Sequence, residues 1–464
     1  MDAFVNRSLE QSIHRAAYLT LQRLRGRPVG PFIEQLRRRE RLDRAAFERL
    51  NGEELKAMLE YAKANVPLYS TGPWARARAG ELPTWPVLER HTVRTRGREL
   101  LSRRPRLGTF YRRSSASTGE PLKVAWNPHA AAWGWANEYR VMLWHGLAPG
   151  ARTLLLWGSR HRFQDWIRNC RGFLTTELTP ERLEEAAQYV LRRRPDLCMG
   201  LPSAVTQLAR HIRATHPDAP YPLVPFVKLG GEQVYPFQRE ELERHFGARV
   251  VEFYGCTEVG PIAAQCPAGS MHIMADNVRV EIFKDGEPAR AGEFGDIVVS
   301  TLSNRAMPLI RCRIGDSGRI SPEPCSCGLP HPVLEDLIGR AADVFVAADG
   351  RKVHGSVLGR ELSNILAGTP VGLVRQLSFE QIHPMRWKVW VESDGGFDQG
   401  LASRVAEVVR AHFGARCEVE LERVPVVPRE PSGKFRYYLP VSRPSFRPSE
   451  PQSARTREDR VKMV

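Results

Sequence analysis

The order of apolar and helical segments is the feature that most limits how this chain can fold. Apolar runs typical of buried strands alternate with amphipathic helical stretches between residues 107 and 330. The runs are TLLLWG (153–158), VPFVKLGG (224–231) and VVEFYG (250–255), and the helical stretches are 180–194 and 237–246. Because parallel strands need long crossover connections, this alternation predicts an α/β fold with parallel strand pairing.

A different pattern begins near the end of that region. The segment 277–302 alternates apolar and polar residues around an Asp-Gly pair at 285–286, and the segment 344–355 does so around an Asp-Gly pair at 349–350. Asp-Gly between two alternating runs is a strong signal for a β-hairpin. We therefore expect a β-rich, antiparallel part after the α/β region.

Both ends of the chain add to this plan. Apolar positions at three-to-four spacing predict helices over 8–66, ended by Pro67. After the second hairpin the pattern predicts an α+β unit with helices near 356–367 and 399–413 and strands near 374–379, 386–392 and 417–424. Residues 444–464 are polar and contain proline, which predicts a disordered tail.

Composition excludes fibrous and wholly disordered classes but leaves the partner open. The 464 residues are 42% apolar and 26% charged, as in ordinary globular proteins, and support two or three domains. The net charge of +16 comes from 59 arginines and nine lysines against 52 acidic residues. This excess favours an anionic partner: nucleic acid, an anionic membrane surface or a phosphorylated small molecule.

The same sequence predicts a cytoplasmic protein. No run approaches the ~18 apolar residues of a membrane span, so no transmembrane segment is expected. The N-terminus lacks the apolar core and cleavage site of a secretory signal. Eight cysteines are too sparse for a disulfide scaffold in a chain of this length.

Four polar segments carry candidate chemistry. The first is a hydroxyl-rich loop whose backbone N–H groups can turn toward phosphate oxygens, formed by Ser114, Ser115, Ser117, Thr118 and Gly119. Its spacing is not that of a Walker A loop. A solvated loop is the simpler interpretation of this segment taken alone.

The second segment, 253–258, immediately follows the apolar run at 250–252. Tyr254 offers a ring to stack on a base, and Glu258 offers oxygen ligands for Mg²⁺. They stand at a strand end, where α/β sheets place ligand groups. The alternative is a structural role for both side chains.

The remaining two segments lie later in the chain. Asp316, in a turn beside Gly315, is suited to accept hydrogen bonds from the vicinal hydroxyls of a ribose, and Arg340 supplies a permanent charge for ribose or phosphate oxygens. Lys434 lies on a loop bounded by Pro and Gly and can place a point charge on a carboxylate or a phosphate. A solvated basic loop is the alternative for the last segment.

In this order, the four segments resemble the adenylate-forming superfamily of acyl-CoA synthetases, firefly-type luciferases and peptide-synthetase adenylation domains. The stretches LEYAKANVPLYS (59–70), LGGEQV (229–234), CPAGSMHI (266–273) and CSCGLPHPVL (325–334) look like its phenylacetate–CoA ligase branch. The resemblance covers about residues 30 to 440.

The resemblance implies a fold and a domain plan. It implies an α/β protein with a large N-terminal adenylate-forming domain, built of mixed α/β sheets plus a β-rich subdomain, and a small mobile C-terminal α+β domain. The predicted parts are a domain at 1–338 that includes a helical extension at 1–70, a hinge at 339–343, a lid at 344–443 and the tail at 444–464.

It also implies a role for each matching residue. Four act in catalysis: Lys434 bridges the substrate carboxylate and the α-phosphate, Glu258 ligates Mg²⁺, Thr257 contacts the α-phosphate, and Arg340 reaches ribose or phosphate. The others bind ATP or AMP: Ser114, Ser115, Ser117, Thr118 and Gly119 hold the β- and γ-phosphates, Gly230, Gly231 and Glu232 line the adenine, Tyr254 stacks on it beside Gly255, and Asp316 binds the ribose.

Two positions depart from the family pattern. Glu120 stands where the phosphate loop usually carries Lys, so neutralisation there is expected from Arg112 or Arg113. Ala342 replaces the first Asp of the usual hinge, about which the small domain rotates between half-reactions.

The cysteines suggest a separate metal site. Cys266, His272, Cys325 and Cys327 have the donor types of a tetrahedral Cys₃His site for Zn²⁺. His331 is an alternative nitrogen ligand. Reduced, buried cysteines without metal are the alternative interpretation, and the branch resemblance favours a structural zinc.

The resemblance implies an AMP-forming acid–thiol ligase. It would activate a carboxylic acid as an acyl-adenylate with ATP and Mg²⁺, release pyrophosphate and transfer the acyl group to a thiol, with coenzyme A as the expected acceptor. Transfer to an amine, a hydroxyl or a carrier protein is the alternative, and a non-catalytic nucleic-acid or membrane-surface binder is a third. No nucleic-acid partner is expected, and a homodimer is the default for such enzymes.

Overall fold

The structure is a computed structural model, and it describes residues 2–104, 107–113, 122–339, 344–366, 369, 373–393, 395–427, 429–430, 432–439 and 460–463. Its α-helices are α1 (Asp2–Leu24), α2 (Val29–Arg39), α3 (Arg44–Asn65), α4 (Arg90–Thr95), α5 (Pro128–Trp144), α6 (Arg162–Ile167), α7 (Pro180–Arg193), α8 (Pro202–Thr215), α9 (Pro236–Phe246), α10 (Ser356–Arg360), α11 (Leu362–Leu366) and α12 (Gln399–Phe413). Within these described ranges, none of the helices has the length and hydropathy to cross a membrane.

The strands follow the same chain order. They are β1 (Phe110–Arg113), β2 (Lys123–Trp126), β3 (Thr153–Trp157), β4 (Cys170–Leu174), β5 (Leu197–Gly200), β6 (Phe226–Gly230), β7 (Arg249–Cys256), β8 (Gly260–Gln265), β9 (Met271–Ile273), β10 (Val278–Lys284), β11 (Glu287–Pro288), β12 (Gly295–Thr301), β13 (Cys312–Ile320), β14 (Val333–Ile338), β15 (Val344–Val346), β16 (Lys352–His354), β17 (Gln376–His383), β18 (Arg386–Glu392), β19 (Glu418–Val424), β20 (Tyr438–Leu439) and β21 (Arg460–Met463).

The chain divides into two compact units. The first unit comprises 1–152, 161–170 and 251–338, and the second comprises 153–160, 171–250 and 339–464. The C-terminal part of the second unit begins where the sequence predicts a hinge. That unit also takes in two segments from the predicted N-terminal domain. The predicted plan of a domain, a hinge and a mobile lid stays a prediction.

The first unit contains the antiparallel part of the fold. Its strands follow the order β11-β10-β12-β13-β14-β9-β8-β7. The hairpin predicted around 285–286 is confirmed, because Asp285 (φ 51°) and Gly286 (φ 89°) both adopt positive φ between the antiparallel strands β10 and β11. Its main core is lined by large buried side chains, among them Tyr69, Trp85 and Trp126.

The second unit contains the parallel part. Strands β3, β5 and β6 pair in parallel, with α7 and α8 on the crossover connections, and β4 adjoins β3. The α7 helix begins where the Thr179 side chain accepts a hydrogen bond from the Arg182 N–H, and it ends at Arg194 in the left-handed conformation. The predicted α/β class is confirmed, because these strands alternate with helices.

The C-terminal segment of the second unit forms its own sheet. The strand order is β20-β17-β18-β19-β21, and α12 buries one apolar face. The single helix predicted near 356–367 is two short helices, α10 and α11, with Glu361 ending α10. The hairpin predicted around 349–350 is confirmed by the antiparallel pair β15–β16.

One stretch of the predicted disordered tail needs a correction. Residues Arg460–Met463 are a strand, paired antiparallel with β19 from Val419 to Glu422. An edge strand presents unpaired N–H and C=O groups that bond to backbone of any sequence, so polar composition does not exclude pairing there. Residues 440–459 and 464 lie outside the described residues.

Candidate active site

The end of β7 and the middle of β13 bring Tyr254 and Asp316 together in the first unit. The Tyr254 hydroxyl donates a hydrogen bond of 2.7 Å to Oδ2 of Asp316. Burial, reinforced by the negative charge of Asp316, raises the pKa of Tyr254 well above its usual value. The phenol therefore stays protonated and remains a donor to this carboxylate.

Glycine is required at two backbone positions next to these side chains. A Cβ at Gly255 would lie 2.6 Å from the carbonyl oxygen of Gly260, so the strands β7 and β8 approach too closely here for any side chain. Gly315 has φ +90°, a conformation that L side chains rarely adopt. The two glycines fix the local backbone from which Tyr254 and Asp316 project.

Glu258 lies on the turn after β7, and its side chain is only 4% exposed. Its Oε1 accepts a hydrogen bond of 2.7 Å from Nη2 of Arg90, the first residue of α4. The other terminal nitrogen of Arg90 donates to the carbonyl oxygen of Ile314, also at 2.7 Å. A buried carboxylate needs such a partner, because leaving it unpaired costs several kcal/mol, of order 3 to 5. Thr257, beside it, is half-buried.

Arg90, the partner of Glu258, is held in place because the segment before it forms backbone hydrogen bonds to the strand that carries Asp316. The Leu88 N–H donates to the Arg311 carbonyl at 2.8 Å, and the Arg313 N–H donates to the Leu88 carbonyl at 3.0 Å. The segment before α4 therefore runs beside β13. Sequence analysis missed Arg90, since it lies in no recognised motif and its contact with Glu258 spans 168 positions.

In the second unit, the predicted adenine-lining residues follow β6. Gly231 has φ +84°, and a Cβ there would meet Leu201 at 2.9 Å and Trp157 at 3.0 Å. Gly230 is buried, and Glu232 is half-buried. The Glu232 carboxylate accepts hydrogen bonds from the backbone and hydroxyl of Ser203, each at 3.0 Å.

Lys434 lies in a tight loop of the same unit. The Gly433 N–H donates to the Glu430 carbonyl at 2.7 Å, and the Glu430 N–H donates to the Lys434 carbonyl at 2.9 Å. The next N–H, of Phe435, donates to Oε1 of Glu232 at 2.6 Å. The structure therefore brings the backbone at Lys434 to one of the predicted nucleotide residues.

Several predicted residues lie outside the described residues, namely Ser114, Ser115, Ser117, Thr118, Gly119, Arg340 and the two departures Glu120 and Ala342. Arg112, one of the two arginines expected to compensate for Glu120, is described and lies 4.2 Å from the centre of the Trp126 ring. The residues that the structure does describe fall into two groups. One is Tyr254, Gly255, Thr257, Glu258 and Asp316, and the other is Gly230, Gly231, Glu232 and Lys434.

Three cysteines and one histidine of the first unit form a cluster at β8–β9 and the loop before β14. Each of Cys266, His272, Cys325 and Cys327 offers a ligand atom, and these atoms all lie within 4.8 Å of one another. The Sγ atoms of Cys266 and Cys325 are 3.8 Å apart, and Nε2 of His272 is 3.2 Å from Sγ of Cys327. We call these four residues the Cys₃His cluster.

Groups around the Cys₃His cluster orient its imidazole. Nδ1 of His272 is 3.0 Å from the carbonyl oxygen of His331, which directs Nε2 toward the thiols. His331, the alternative ligand, is buried, and its own Nδ1 lies 3.1 Å from the Ile273 carbonyl. Burial and the charge of Arg140 lower the pKa of His331 to about 3, so it stays neutral. His331 therefore acts here through its backbone carbonyl, as a neighbour of the cluster.

Comparison with known proteins finds a matching family and several similar enzymes. The AMP-binding enzyme family matches residues 171–304. A phenylacetate-coenzyme A ligase of Thermus thermophilus is 24% identical over 66% of this chain and 73% of its own, and one of Escherichia coli is 32% identical over 54% and 59%. A crystal structure of 2-hydroxyisobutyryl-CoA ligase in the postadenylation state has a TM-score of 0.68 at 18% identity, and the match covers 87% of this chain and 91% of that one.

This chain is similar to phenylacetate-coenzyme A ligases and carries a match to the AMP-binding enzyme family. The predicted resemblance is thereby confirmed. The matched residues 171–304 include Gly230, Glu232, Tyr254 and Glu258. Asp316 and Lys434 lie beyond the family match, so their placement rests on the geometry described above.

Proposed function

We propose that this enzyme converts a carboxylic acid to its acyl-adenylate with ATP and then transfers the acyl group to coenzyme A. The observation that carries the proposal is the joining of Tyr254 to Asp316 beside the buried Glu258, at the end of a strand. An aromatic ring, a ribose acceptor and a metal-binding carboxylate are the groups that a nucleotide requires there. The relatives named above support the same chemistry.

The first half-reaction is a substitution at phosphorus. A carboxylate oxygen of the acid bonds to the α-phosphorus of ATP, the bond from that phosphorus to the bridging oxygen breaks, and pyrophosphate leaves. Negative charge builds up on the phosphoryl oxygens, so positioned cations lower the barrier. Lys434 is the group we assign to the acid and the α-phosphate, with Thr257 at the α-phosphate and Arg340 at ribose or phosphate oxygens.

The second half-reaction is acyl transfer. The thiol sulfur of coenzyme A bonds to the carbonyl carbon, AMP leaves with the carboxylate oxygen, and the thiol proton passes to solvent. No enzyme nucleophile is required. Burial and the charge of Glu258 raise the pKa of Cys256 well above its usual value, so this thiol is not activated for covalent catalysis.

Magnesium fits the Glu258 side of this site. A single carboxylate suits Mg²⁺, which takes one or two protein oxygens together with phosphate oxygens and water. Glu258 would hold the ion, which offsets phosphate charge when bound. The Arg90 side chain is 40% exposed, so it can turn from Glu258 toward a phosphate when the nucleotide enters.

Zinc fits the Cys₃His cluster. Ligand atoms about 2.0 to 2.3 Å from a tetrahedral zinc lie about 3.5 to 3.8 Å from each other, close to the separations of the cluster atoms. Three sulfurs and one nitrogen leave no open coordination position, as in structural rather than catalytic sites. The cluster would therefore tie the β8–β9 hairpin to the loop before β14.

Exchange of labelled pyrophosphate into ATP tests the first half-reaction. With phenylacetate and a panel of other aryl and alkyl acids, we expect acid-dependent exchange that falls by at least about 100-fold in Lys434→Ala and about tenfold or more in Glu258→Ala. Lys352→Ala and Glu287→Ala are matched controls, since both side chains are exposed. Full exchange in Lys434→Ala and Glu258→Ala would refute the assignment of these residues.

The acceptor is tested separately after adenylate has formed. Coenzyme A, a primary amine, an alcohol and a carrier-protein thiol are offered in parallel, and we expect AMP release to be fastest with coenzyme A. Faster release with another acceptor would replace the second half-reaction and leave the first intact. The cytoplasmic location and the homodimer stay predictions of the sequence.

A further inference from the structure

The backbone on both sides of Lys434 is held by side chains of the second unit. On one side, Oε1 of Glu232 accepts the Phe435 N–H at 2.6 Å. On the other, Nη1 of Arg429 donates to the carbonyl oxygen of Gly433 at 3.2 Å. The residues immediately before and after Lys434 are thus both anchored.

These two anchors share a partner at the start of α8. Ser203 donates to Glu232 from its backbone N–H and from its hydroxyl, each at 3.0 Å, and its Oγ accepts from Nη1 of Arg429 at 2.8 Å. Nη2 of Arg429 donates to the side-chain oxygen of Gln207, one turn further along the helix, at 3.2 Å. We call Glu232, Ser203 and Arg429 the lysine-loop clamp.

The clamp gives the Glu232 carboxylate a stabilised position. Leu201, at the N-cap of α8, has no side chain that can cap the helix. The Glu232 carboxylate takes that role by accepting the Ser203 N–H, where the positive end of the helix dipole favours a negative charge. The same carboxylate then has a lone pair directed at the Phe435 N–H.

Close backbone contacts reinforce this docking. A Cβ at Gly158 would lie 1.7 Å from the carbonyl oxygen of Ser432, and a Cβ at Gly433 would lie 2.0 Å from the Thr175 hydroxyl. Gly433 also has φ +81°. The loop therefore fits against the end of β3 only because both positions are glycine.

We propose that Glu232 is a positioning residue for Lys434: through the lysine-loop clamp it holds the lysine in place for the adenylation half-reaction. This inference rests on the proposed function, in which Lys434 bridges the acid and the α-phosphate. It gives the Glu232 carboxylate a different role from the adenine lining that the family resemblance implies. An adenine contact acts on ATP binding, whereas a clamp acts on the rate of the step that uses Lys434.

Hydrogen exchange of the protein without ligand tests the clamp itself. In Glu232→Ala we expect the peptide containing residues 432–437 to exchange about tenfold faster, because the Phe435 amide loses its acceptor. Glu232→Gln keeps an acceptor oxygen and is expected to lie between that variant and the wild type. Glu240→Ala, an exposed site on α9, is the control and should match the wild type. Unchanged exchange in Glu232→Ala overturns the clamp.

Kinetics then test what the clamp does. With phenylacetate, we expect Glu232→Ala to lower kcat for pyrophosphate exchange about tenfold while KM for ATP changes by less than about threefold. Conversion of synthetic phenylacetyl-adenylate to the thioester should stay within about twofold of wild type. A raised KM for ATP at unchanged kcat would indicate that Glu232 contacts adenine, and it would overturn the proposal.

Two further results distinguish a failure of the lysine-loop clamp from a failure of the proposed function. If the wild type shows no exchange with any acid, the proposed function fails, while hydrogen exchange still decides whether Glu232 holds the loop. If Glu232→Ala does not fold, Ser203→Ala removes the hydroxyl between Glu232 and Arg429 and leaves both charges in place. That variant is expected to show the same faster exchange and lower kcat to a smaller extent, and wild-type behaviour in both measurements overturns the clamp.

Discussion

The Cys₃His cluster and the Tyr254–Glu258–Asp316 group lie in the same unit but hold their polar atoms in opposite ways. In the cluster, the four ligand atoms face one another within 4.8 Å. In the Tyr254–Glu258–Asp316 group, which we call the nucleotide group after its proposed role, each carboxylate accepts a hydrogen bond from a side chain of the protein, Glu258 from Arg90 and Asp316 from Tyr254. The cluster has the arrangement that a bound zinc ion would require, whereas each carboxylate of the nucleotide group already has a partner in its own chain.

This difference implies different responses to substitution. A closed set of thiols and an imidazole gains its stability from the ion, so loss of one ligand removes most of the contribution at once. Carboxylates with protein partners lose one hydrogen bond at a time, and a bound nucleotide must exchange those bonds. The comparison therefore predicts large stability effects at the cluster and smaller, more functional effects at the nucleotide group.

The largest effect is expected at the cluster. Cys325→Ser should lower the free energy of unfolding by about 3 kcal/mol or more, because the proposed structural zinc would be lost together with its ligand. Cys170→Ser, a half-buried cysteine outside the cluster, should change it by less than about 1 kcal/mol. Thermal unfolding and elemental analysis of both proteins provide the measurements. Absence of zinc from the wild type, with equal stability of the two variants, contradicts the site.

The sequence predicted the cluster and the hairpins more completely than it predicted the partners of the active-site residues. Asp-Gly turns are recognisable because the turn requires positive φ at its two central residues, and Asp285 and Gly286 both adopt it. Metal ligands are recognisable because few residue types bind zinc. Both signals are contained in short stretches of chain.

The partners of the proposed active-site residues carry no such signal. Arg90 meets Glu258 across 168 positions, and Glu232 meets the Phe435 N–H across 203. No hydrophobic periodicity, turn residue or motif in the sequence marks either contact, because each forms only when distant elements pack together. The adenine contact that the family resemblance implies for Glu232 stays a prediction, and the sequence alone does not reveal the hydrogen bonds of its carboxylate to Ser203 and Phe435.

A medium effect is expected when Glu258 loses its partner. Arg90→Met keeps much of the side-chain volume but removes the guanidinium, and we expect it to lower the free energy of unfolding by about 2 kcal/mol, less than for a fully buried pair because Arg90 is partly exposed. Arg94→Met, an exposed arginine on the same helix, is the control. Urea unfolding gives the difference between the variants.

Added magnesium tests whether Glu258, besides pairing with Arg90, is the magnesium ligand. If Glu258 is the magnesium ligand, added Mg²⁺ should recover part of the lost stability in Arg90→Met and none in the double variant Arg90→Met, Glu258→Gln. Equal stability of Arg90→Met and Arg94→Met contradicts the structural importance of the ion pair. Equal recovery in both Arg90 variants contradicts the assignment of Glu258 to magnesium.

The smallest effect on stability is expected at Tyr254, where it separates the ring from the hydroxyl. Tyr254→Phe keeps the surface that would stack on adenine but removes the hydrogen bond to Asp316, and we expect a loss of about 1 kcal/mol in unfolding free energy. Without that donor, Asp316 is less firmly oriented toward the ribose, so KM for ATP should rise about fivefold with little change in kcat. Tyr221→Phe, at an exposed tyrosine, is the control for both measurements. If kcat falls and KM for ATP does not rise, the hydroxyl acts on the chemical step. That result contradicts the view that the hydrogen bond from Tyr254 orients Asp316 for nucleotide binding.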